Sequence, residues 1–211
     1  MEGDGKARRN RRQPSLNPTP VNPLALRLAV RDKRENIIYL ARPCQYVSIA
    51  EQPNCQTKYW TSHRFASEVI GDYNIILDRL KLETGAQRFH LIGFSGGAAI
   101  AALLAASRAD VGRLVTVAGN LDLANLAAHH KVSPLNGSLD PVAYAQQLKH
   151  IPQTHFIGEN DKIIPPGLTK QFFAKQKENP CLQMKVVAGA THLEGWEVKW
   201  NQLLEVAARC R

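Results

Sequence analysis

The sequence predicts an α/β fold with a mostly parallel sheet and helices on both faces. Short apolar runs typical of strands alternate along the chain with segments whose apolar residues recur at helical spacing. With 211 residues, 44% of them apolar, the chain is long enough to bury one substantial core. We therefore expect a single domain over residues 1–211.

The predicted strands and helices alternate along the chain. The predicted strands are 36–41, 89–93, 113–118, 154–158 and 184–188. The predicted helices are 24–31, 64–83, 96–107, 168–176 and 194–208. Residues 1–23 are expected to form a basic, proline-rich loop, and residues from roughly 120 to 150 a lid or insert with one or two short helices.

The charge is strongly basic near the start of the chain. The formal net charge is +9, and five of the cations are Lys6, Arg8, Arg9, Arg11 and Arg12. Such a run could bind nucleic acid or an anionic membrane, but a solvated, flexible segment is the favoured interpretation. The rest of the chain shows no zinc-ligand spacing and no aromatic RNA-binding signature, so neither a nucleic-acid partner nor a cofactor is expected.

No segment is typical of a membrane span or a leader. The sequence has no apolar run of about 18 residues, so no membrane-spanning helix is expected. Its first residues lack an apolar stretch behind a basic start, which excludes a secretory signal within them. The oligomeric state is left open.

The cysteines leave two interpretations open. None of the four forms a C-x-x-C pair, so a metal or thioredoxin-like site is not expected. Cys44 and Cys55 are eleven positions apart across a polar loop. They could form a local disulfide, which implies an oxidising compartment, or remain two free thiols.

The chemistry-bearing motif is the G-x-S-x-G sequence at residues 93–97, between a predicted strand and a predicted helix. A sharp strand–turn–helix connection projects a serine hydroxyl above the sheet, and glycines beside it leave room for the turn. Ser95 is therefore the candidate nucleophile. The N–H of Gly96, at a helix N-terminus, is the candidate oxyanion donor.

A serine nucleophile needs a base and an orienting acid, which follow it in chain order in this fold. Asp161 follows the predicted strand at 154–158, and His192 follows the one at 184–188. Catalytic groups gather at the carboxyl ends of such strands. We predict that Ser95 attacks an acyl carbonyl, His192 transfers protons and Asp161 orients the imidazole. Glu159 is the second choice for the acid.

The second oxyanion donor is expected from the loop after the third strand of such a fold. The only segment in that position is Glu2-Gly3-Asp4-Gly5. The backbone N–H of Asp4 or of Gly5 is therefore nominated.

These motifs resemble the α/β-hydrolase superfamily, and within it a group of bacterial members. The resemblance rests on 2–5 (EGDG), 22–29 (NPLALRLA), 39–46 (YLARPCQY), 59–66 (YWTSHRFA) and 93–97 (GFSGG). It implies hydrolysis of an ester or similar acyl bond in a small-molecule substrate. Members of that group often look exported or lipid-anchored, which suits a Cys44–Cys55 bridge and a periplasmic full-length form. A cytoplasmic location is the alternative.

The resemblance also implies that the chain is N-terminally shortened. Residues 1–5 cannot form the strand that precedes the Glu2–Gly5 loop in that superfamily. We expect a slot one strand wide, about 5 Å from each neighbour, between segments 36–41 and 89–93.

Further residues are nominated with open alternatives. Arg42, Gln45 and Tyr46 either line the substrate pocket or pack the loop around Cys44. A second group caps a helix or shapes the mouth of the site: Trp60, His63 and Arg64. Two pairs are expected to be structural: His129 and His130 on the surface, and Trp196 and Trp200 in the core.

Four functions compete. The leading one is a serine hydrolase acting on an ester; the second is a peptidase, amidase or thioesterase of the same fold. The third is a catalytically impaired hydrolase with an intact triad but an incomplete sheet. The fourth, the least favoured, is a binding module that uses the basic surface of residues 6–12.

Overall fold

The computed structural model describes residues 1–10, 12–177 and 179–206. Its strands are β1 (Phe89–Phe94), β2 (Val111–Val117), β3 (Gln153–Gly158) and β4 (Leu182–Val187). Its α-helices are α1 (Leu24–Arg31), α2 (Ser67–Thr84), α3 (Gly96–Ser107), α4 (Leu123–His130), α5 (Lys170–Ala174) and α6 (Trp200–Glu205). Short 3-10 helices cover Ile49–Glu51, Thr57–Trp60, Pro141–Leu148 and Glu197–Lys199.

The four strands form one parallel sheet in the order β1-β2-β3-β4. Side chains alternate across β2: Leu114 joins an apolar cluster with α2 and α3, whereas Val115 joins a cluster on the other face with α1 and α6. Helices therefore cover both faces, which confirms the predicted α/β architecture. Helix α3 is buried along nearly its whole length, as its alanine-rich sequence predicted.

The prediction of a buried strand at 36–41 is wrong. This segment is irregular, and Ile37 and Ile38 are 41% and 47% exposed. Pairing needs a neighbouring strand, and a cavity of about 560 Å³ separates the segment from the edge of β1. Within the described residues, one backbone hydrogen bond joins this segment to a neighbouring chain segment: the N–H of Glu2 donates to the carbonyl of Leu40 at 3.0 Å.

Two further predictions need adjustment. The closing helix predicted over 194–208 is a 3-10 turn at Glu197–Lys199 followed by α6, and residues 207–208 lie outside the described part of the chain. The described part of the basic segment, residues 6–10 and 12, is an ordered loop: the N–H of Lys6 donates to Pro18, and the N–H of Arg9 to Gln13. Among the described residues, none of the helices has both the length and the apolar content to span a bilayer.

Candidate active site

Ser95 occupies the turn between β1 and α3. Its φ of 50° and ψ of −117° lie in a region of backbone conformation that residues other than glycine rarely adopt. The N–H of Ser95 donates to Val117 of the neighbouring strand at 3.0 Å, which holds the turn against the sheet. A side chain on Gly93 would overlap the backbone of Gly97 and Ala98. Glycine is thus required at position 93, because the backbone of the first turn of α3 passes directly beside it.

Asp161 lies beyond the end of β3 and is 3% exposed. Its Oδ1 accepts two backbone N–H groups, from Ile163 and Ile164, both at 2.8 Å. These bonds fix the carboxylate and leave Oδ2 for a third partner. The carboxylate is therefore oriented before any substrate arrives.

His192 lies in the loop after β4, and its imidazole joins the other two side chains. Nδ1 is 2.9 Å from Oδ2 of Asp161, and Nε2 is 3.1 Å from Oγ of Ser95. Because a carboxylate only accepts, the tautomer that fits carries its proton on Nδ1 and accepts the Ser95 hydroxyl proton at Nε2. The three residues predicted from chain order thus form one hydrogen-bonded chain.

Local contacts hold the His192 loop in place. The indole N–H of the buried Trp196 donates to the carbonyl of Thr191 at 3.0 Å. The N–H of Asn160 donates to Ala190 at 2.9 Å and so joins this loop to the loop of Asp161. The buried position of Trp196 and Trp200 is as expected. Glu159 bonds the N–H of Gly189 instead and does not contact the imidazole.

The predicted oxyanion loop, residues 2–5, lies against Ser95. A Cβ built on Gly3 would lie 3.3 Å from Cβ of Ser95, and one on Gly96 would overlap the Asp4 carboxylate. Within the described residues, the N–H groups of Asp4, Gly5 and Gly96 have no hydrogen-bond acceptor. Among the described residues these nominated N–H groups are therefore free to bind a ligand oxygen, and the one of Gly96 directly follows Ser95 in the chain.

Glu2 holds this loop, a role that the sequence analysis missed. Its buried carboxylate accepts the N–H of Gly3 at 2.8 Å and the hydroxyl of Tyr39 at 3.1 Å. It also accepts two N–H groups of the first turn of α1, from Ala25 at 3.4 Å and Leu26 at 3.3 Å. A carboxylate at a helix N-terminus is favourable. Three of these four partners are over 20 positions away, so no local motif could have revealed those contacts.

Arg42 and Gln45 serve loop packing, the alternative to lining a pocket. Both are buried. The Gln45 amide donates to Gly3 at 3.0 Å, and the Arg42 guanidinium donates to Asp4 at 2.8 Å. Tyr46 is half-exposed, 3.4 Å from Tyr39 between hydroxyl oxygens; a place in the substrate pocket stays a prediction for it.

The remaining nominated residues make contacts within the described fold. Trp60 is buried and donates its indole N–H to Ser15, which holds the basic loop. His63 bonds Ser62. His129 is exposed, and His130 bonds the carbonyl of Ile163. Arg64 bonds Asp4, a contact that the sequence analysis missed.

Cys44 and Cys55 form a disulfide, with 5.5 Å between their Cα atoms. The bond closes the polar loop next to Arg42 and Gln45. Of the two alternatives that the spacing left open, the structure has the bridge. Disulfides are typical of proteins in oxidising compartments.

The sequence model of the serine hydrolase (FSH1) family matches residues 47–188, about two thirds of the chain. The chain belongs to this family. Ser95 and Asp161 lie inside the matched range of the FSH1 serine hydrolases, and His192 lies four residues beyond it. No curated protein matches the chain.

Solved structures show the same fold as this FSH1 serine hydrolase. A puromycin-hydrolysing peptidase of Mycobacterium tuberculosis is 18% identical with a TM-score of 0.53, over 65% of this chain and 24% of that one. An esterase of Pyrococcus furiosus is 20% identical with a TM-score of 0.52, over 68% and 63%. An esterase domain from Rhodothermus marinus is 17% identical with a TM-score of 0.52, over 65% of each chain. The chain thus spans about a quarter of the peptidase and less than two thirds of each esterase.

Proposed function

We propose that this serine hydrolase cleaves carboxylic esters of small or medium size, with Ser95 as nucleophile, His192 as base and Asp161 as orienting acid. One observation carries the proposal: the His192 ring lies within hydrogen-bond distance of both Asp161 and Ser95, at 2.9 and 3.1 Å. The strained backbone at Ser95 supports it, because strain of this kind is typical of the nucleophile turn.

The reaction proceeds in two halves. Ser95 Oγ bonds to the ester carbonyl carbon as Nε2 of His192 takes the hydroxyl proton, and the negative carbonyl oxygen accepts hydrogen bonds from free N–H groups at Gly96 and the oxyanion loop. The bond to the alkoxy group then breaks, and His192 gives the departing oxygen its proton. Water then attacks the acyl-enzyme while His192 takes a proton from it. His192 returns this proton to Ser95 Oγ as the bond to the acyl group breaks, which releases the acid and restores Ser95.

Amide or thioester cleavage is the second candidate. The same triad serves all three acyl bonds, and the similar structures include a peptidase as well as esterases. An ester is preferred to an amide because an alkoxide leaves more readily than an amine, so ester cleavage demands less from the oxyanion loop than amide cleavage. Paired assays of p-nitrophenyl butyrate and the matching p-nitroanilide separate the candidates; faster turnover of the anilide would contradict the ester assignment.

Ser95→Ala tests the triad. We expect loss of p-nitrophenyl butyrate hydrolysis by several powers of ten with an unchanged circular dichroism spectrum, because only binding and the oxyanion hole then remain. Ser67→Ala, an exposed serine at the start of α2, is the matched control and should retain full activity. Turnover by pure Ser95→Ala protein at the unmodified rate would exclude Ser95 as nucleophile.

A fluorophosphonate probe tests the same assignment without a substrate. Ser95 Oγ would bond to phosphorus, fluoride would leave, and His192 would accept the hydroxyl proton. Because an unactivated serine does not react, labelling separates a working hydrolase from an impaired one or a basic binding module. We expect one label, located on Ser95 by peptide mass spectrometry; a folded protein without label would contradict the proposal.

A further inference from the structure

The Asp4 carboxylate lies directly beside the proposed oxyanion hole. A Cβ built on Gly96 would overlap Oδ1 of Asp4, so the carboxylate rests against Cα of the residue whose N–H is a proposed donor. A negative charge at this place repels a negative oxygen that forms beside it. An uncompensated Asp4 would therefore oppose the reaction that the triad performs.

Two arginines compensate this carboxylate. Arg42 Nη1 bonds Oδ1 of Asp4 at 2.8 Å, and Arg64 Nη1 bonds Oδ2 at 2.5 Å. The Arg42 and Arg64 side chains are 4% and 15% exposed, so water screens these charges weakly. Burial alone would raise the pKa of Asp4, but the charges of Arg64 and Arg42 outweigh it and hold the pKa below its usual value. The carboxylate is ionised at neutral pH.

The arginines are themselves fixed by backbone carbonyls. Nη2 of Arg42 donates to the carbonyl of Arg64, and Nε of Arg64 donates to Thr61 at 2.9 Å. The guanidinium of Arg42 also lies over the Phe65 ring, 5.0 Å from its centroid. Two positive charges and one negative charge leave a net charge of +1 in this cluster. Both the place and the charge of Asp4 are thus set by side chains from outside its loop.

We propose that Asp4, Arg42 and Arg64 form a positioning cluster that holds the oxyanion loop and, through its second arginine, carries one positive charge in excess of the Asp4 carboxylate beside the forming oxyanion. The proposal rests on the proposed function, since it assigns the cluster to the acyl transfer of Ser95. Asp4 aims its own N–H through its bonds to the arginines, and Arg64 supplies the excess positive charge. Neither side chain touches the reacting atoms.

A charge swap tests the cluster against a purely structural role. Arg64→Gln reduces the net charge from +1 to zero; we expect kcat to fall about tenfold to a hundredfold with KM nearly unchanged. Asp4→Asn added to Arg64→Gln returns the charge to +1 through Arg42, and we expect kcat to recover to within about threefold of the original. If the contacts mattered only for folding, the double variant would be no better than Arg64→Gln.

Three controls separate an effect of charge from an effect on folding. Arg64→Lys keeps the charge, so its kcat should stay within a few-fold of the original, and this variant provides a second test if Arg64→Gln does not fold. The exposed Arg79–Glu83 pair on α2 is the matched control: Arg79→Gln alone, or with Glu83→Gln, should change nothing. The rate of fluorophosphonate labelling is measured in parallel. No label on the unmodified protein would defeat the proposed function itself, whereas normal labelling without recovery in the double variant overturns only this inference.

Discussion

The two long edges of β1 have different environments. One edge pairs with β2 in parallel register from Phe89 to Phe94. Along the other edge the described residues supply one neighbour, Met1, whose carbonyl accepts the N–H of Phe94 at 3.2 Å, and beyond it lies the cavity of about 560 Å³. The triad belongs to the paired side, and the oxyanion loop to the open side.

This difference shows that the two parts of the site are held by different forces. Ser95, Asp161 and His192 each follow a strand of one ladder, so main-chain hydrogen bonds set their distances. The oxyanion loop depends on side chains instead: Glu2, Gln45, Arg42 and Arg64. We therefore expect the triad side to be the more robust part, and the loop side to respond more to single substitutions of charge.

The largest effect should come from Asp161→Asn. The amide oxygen can keep both bonds from the N–H groups of Ile163 and Ile164, so the fold should survive, but the amide N–H₂ then faces Nδ1 of His192 and favours the wrong tautomer. We expect kcat to fall about 10³–10⁴-fold, measured with p-nitrophenyl butyrate. Glu159→Gln, on the same loop, should remain within a few-fold. Equal losses in both variants would mean that the acid is not Asp161 alone.

A pair of leucines measures the two edges directly. Leu114 of β2 is fully buried, whereas Leu40 lines the cavity beside β1 and is partly exposed. Leu114→Ala should lower the free energy of unfolding by about 2–5 kcal/mol, because it leaves a void in close-packed surroundings. Leu40→Ala should cost about 1 kcal/mol or less, since fewer contacts are lost. Urea denaturation measures both, and equal costs would refute the contrast between the edges.

The effect that develops only at acid pH concerns the stability of the paired side. His155 of β3 is buried between Phe172 and Phe173; Nδ1 is 2.8 Å from the Thr116 hydroxyl, and Nε2 is 3.2 Å from Oε1 of Gln153. The latter two contacts suit a neutral ring, and burial lowers the pKa of His155 to about 3.

The direction in which stability changes with pH depends on whether the folded or the unfolded state binds the proton first. In the unfolded chain His155 titrates near its usual pKa of 6.5, so the unfolded state takes up a proton first as the pH falls. The contribution of His155 is full above about pH 6.5 and is lost toward pH 3, by at most about 1.4 kcal/mol per pH unit. Unfolding free energy measured from pH 7 to 4 should fall less steeply for His155→Gln than for the control His150→Gln, an exposed histidine. Identical slopes would contradict a neutral buried His155.

The sequence alone determined the α/β class and predicted the three side chains of the proposed triad. Apolar runs followed by Gly93–Gly97, by Asp161 and by His192 specify three strand ends, and parallel strands bring their carboxyl ends to one edge of the sheet. This inference needs only local patterns and chain order. The spacing of Cys44 and Cys55 restricted the loop to two states, of which the structure has the bridged one.

Tertiary structure decided what depends on distant partners. Segment 36–41 has the composition of a strand, yet it is irregular, because a strand exists only where a neighbouring strand can accept its hydrogen bonds. The roles of Glu2 and Arg64 depend on contacts across 24 and 60 positions. The charge and size of a side chain are known from the sequence, but the partner that neutralises a buried charge is determined only by tertiary packing.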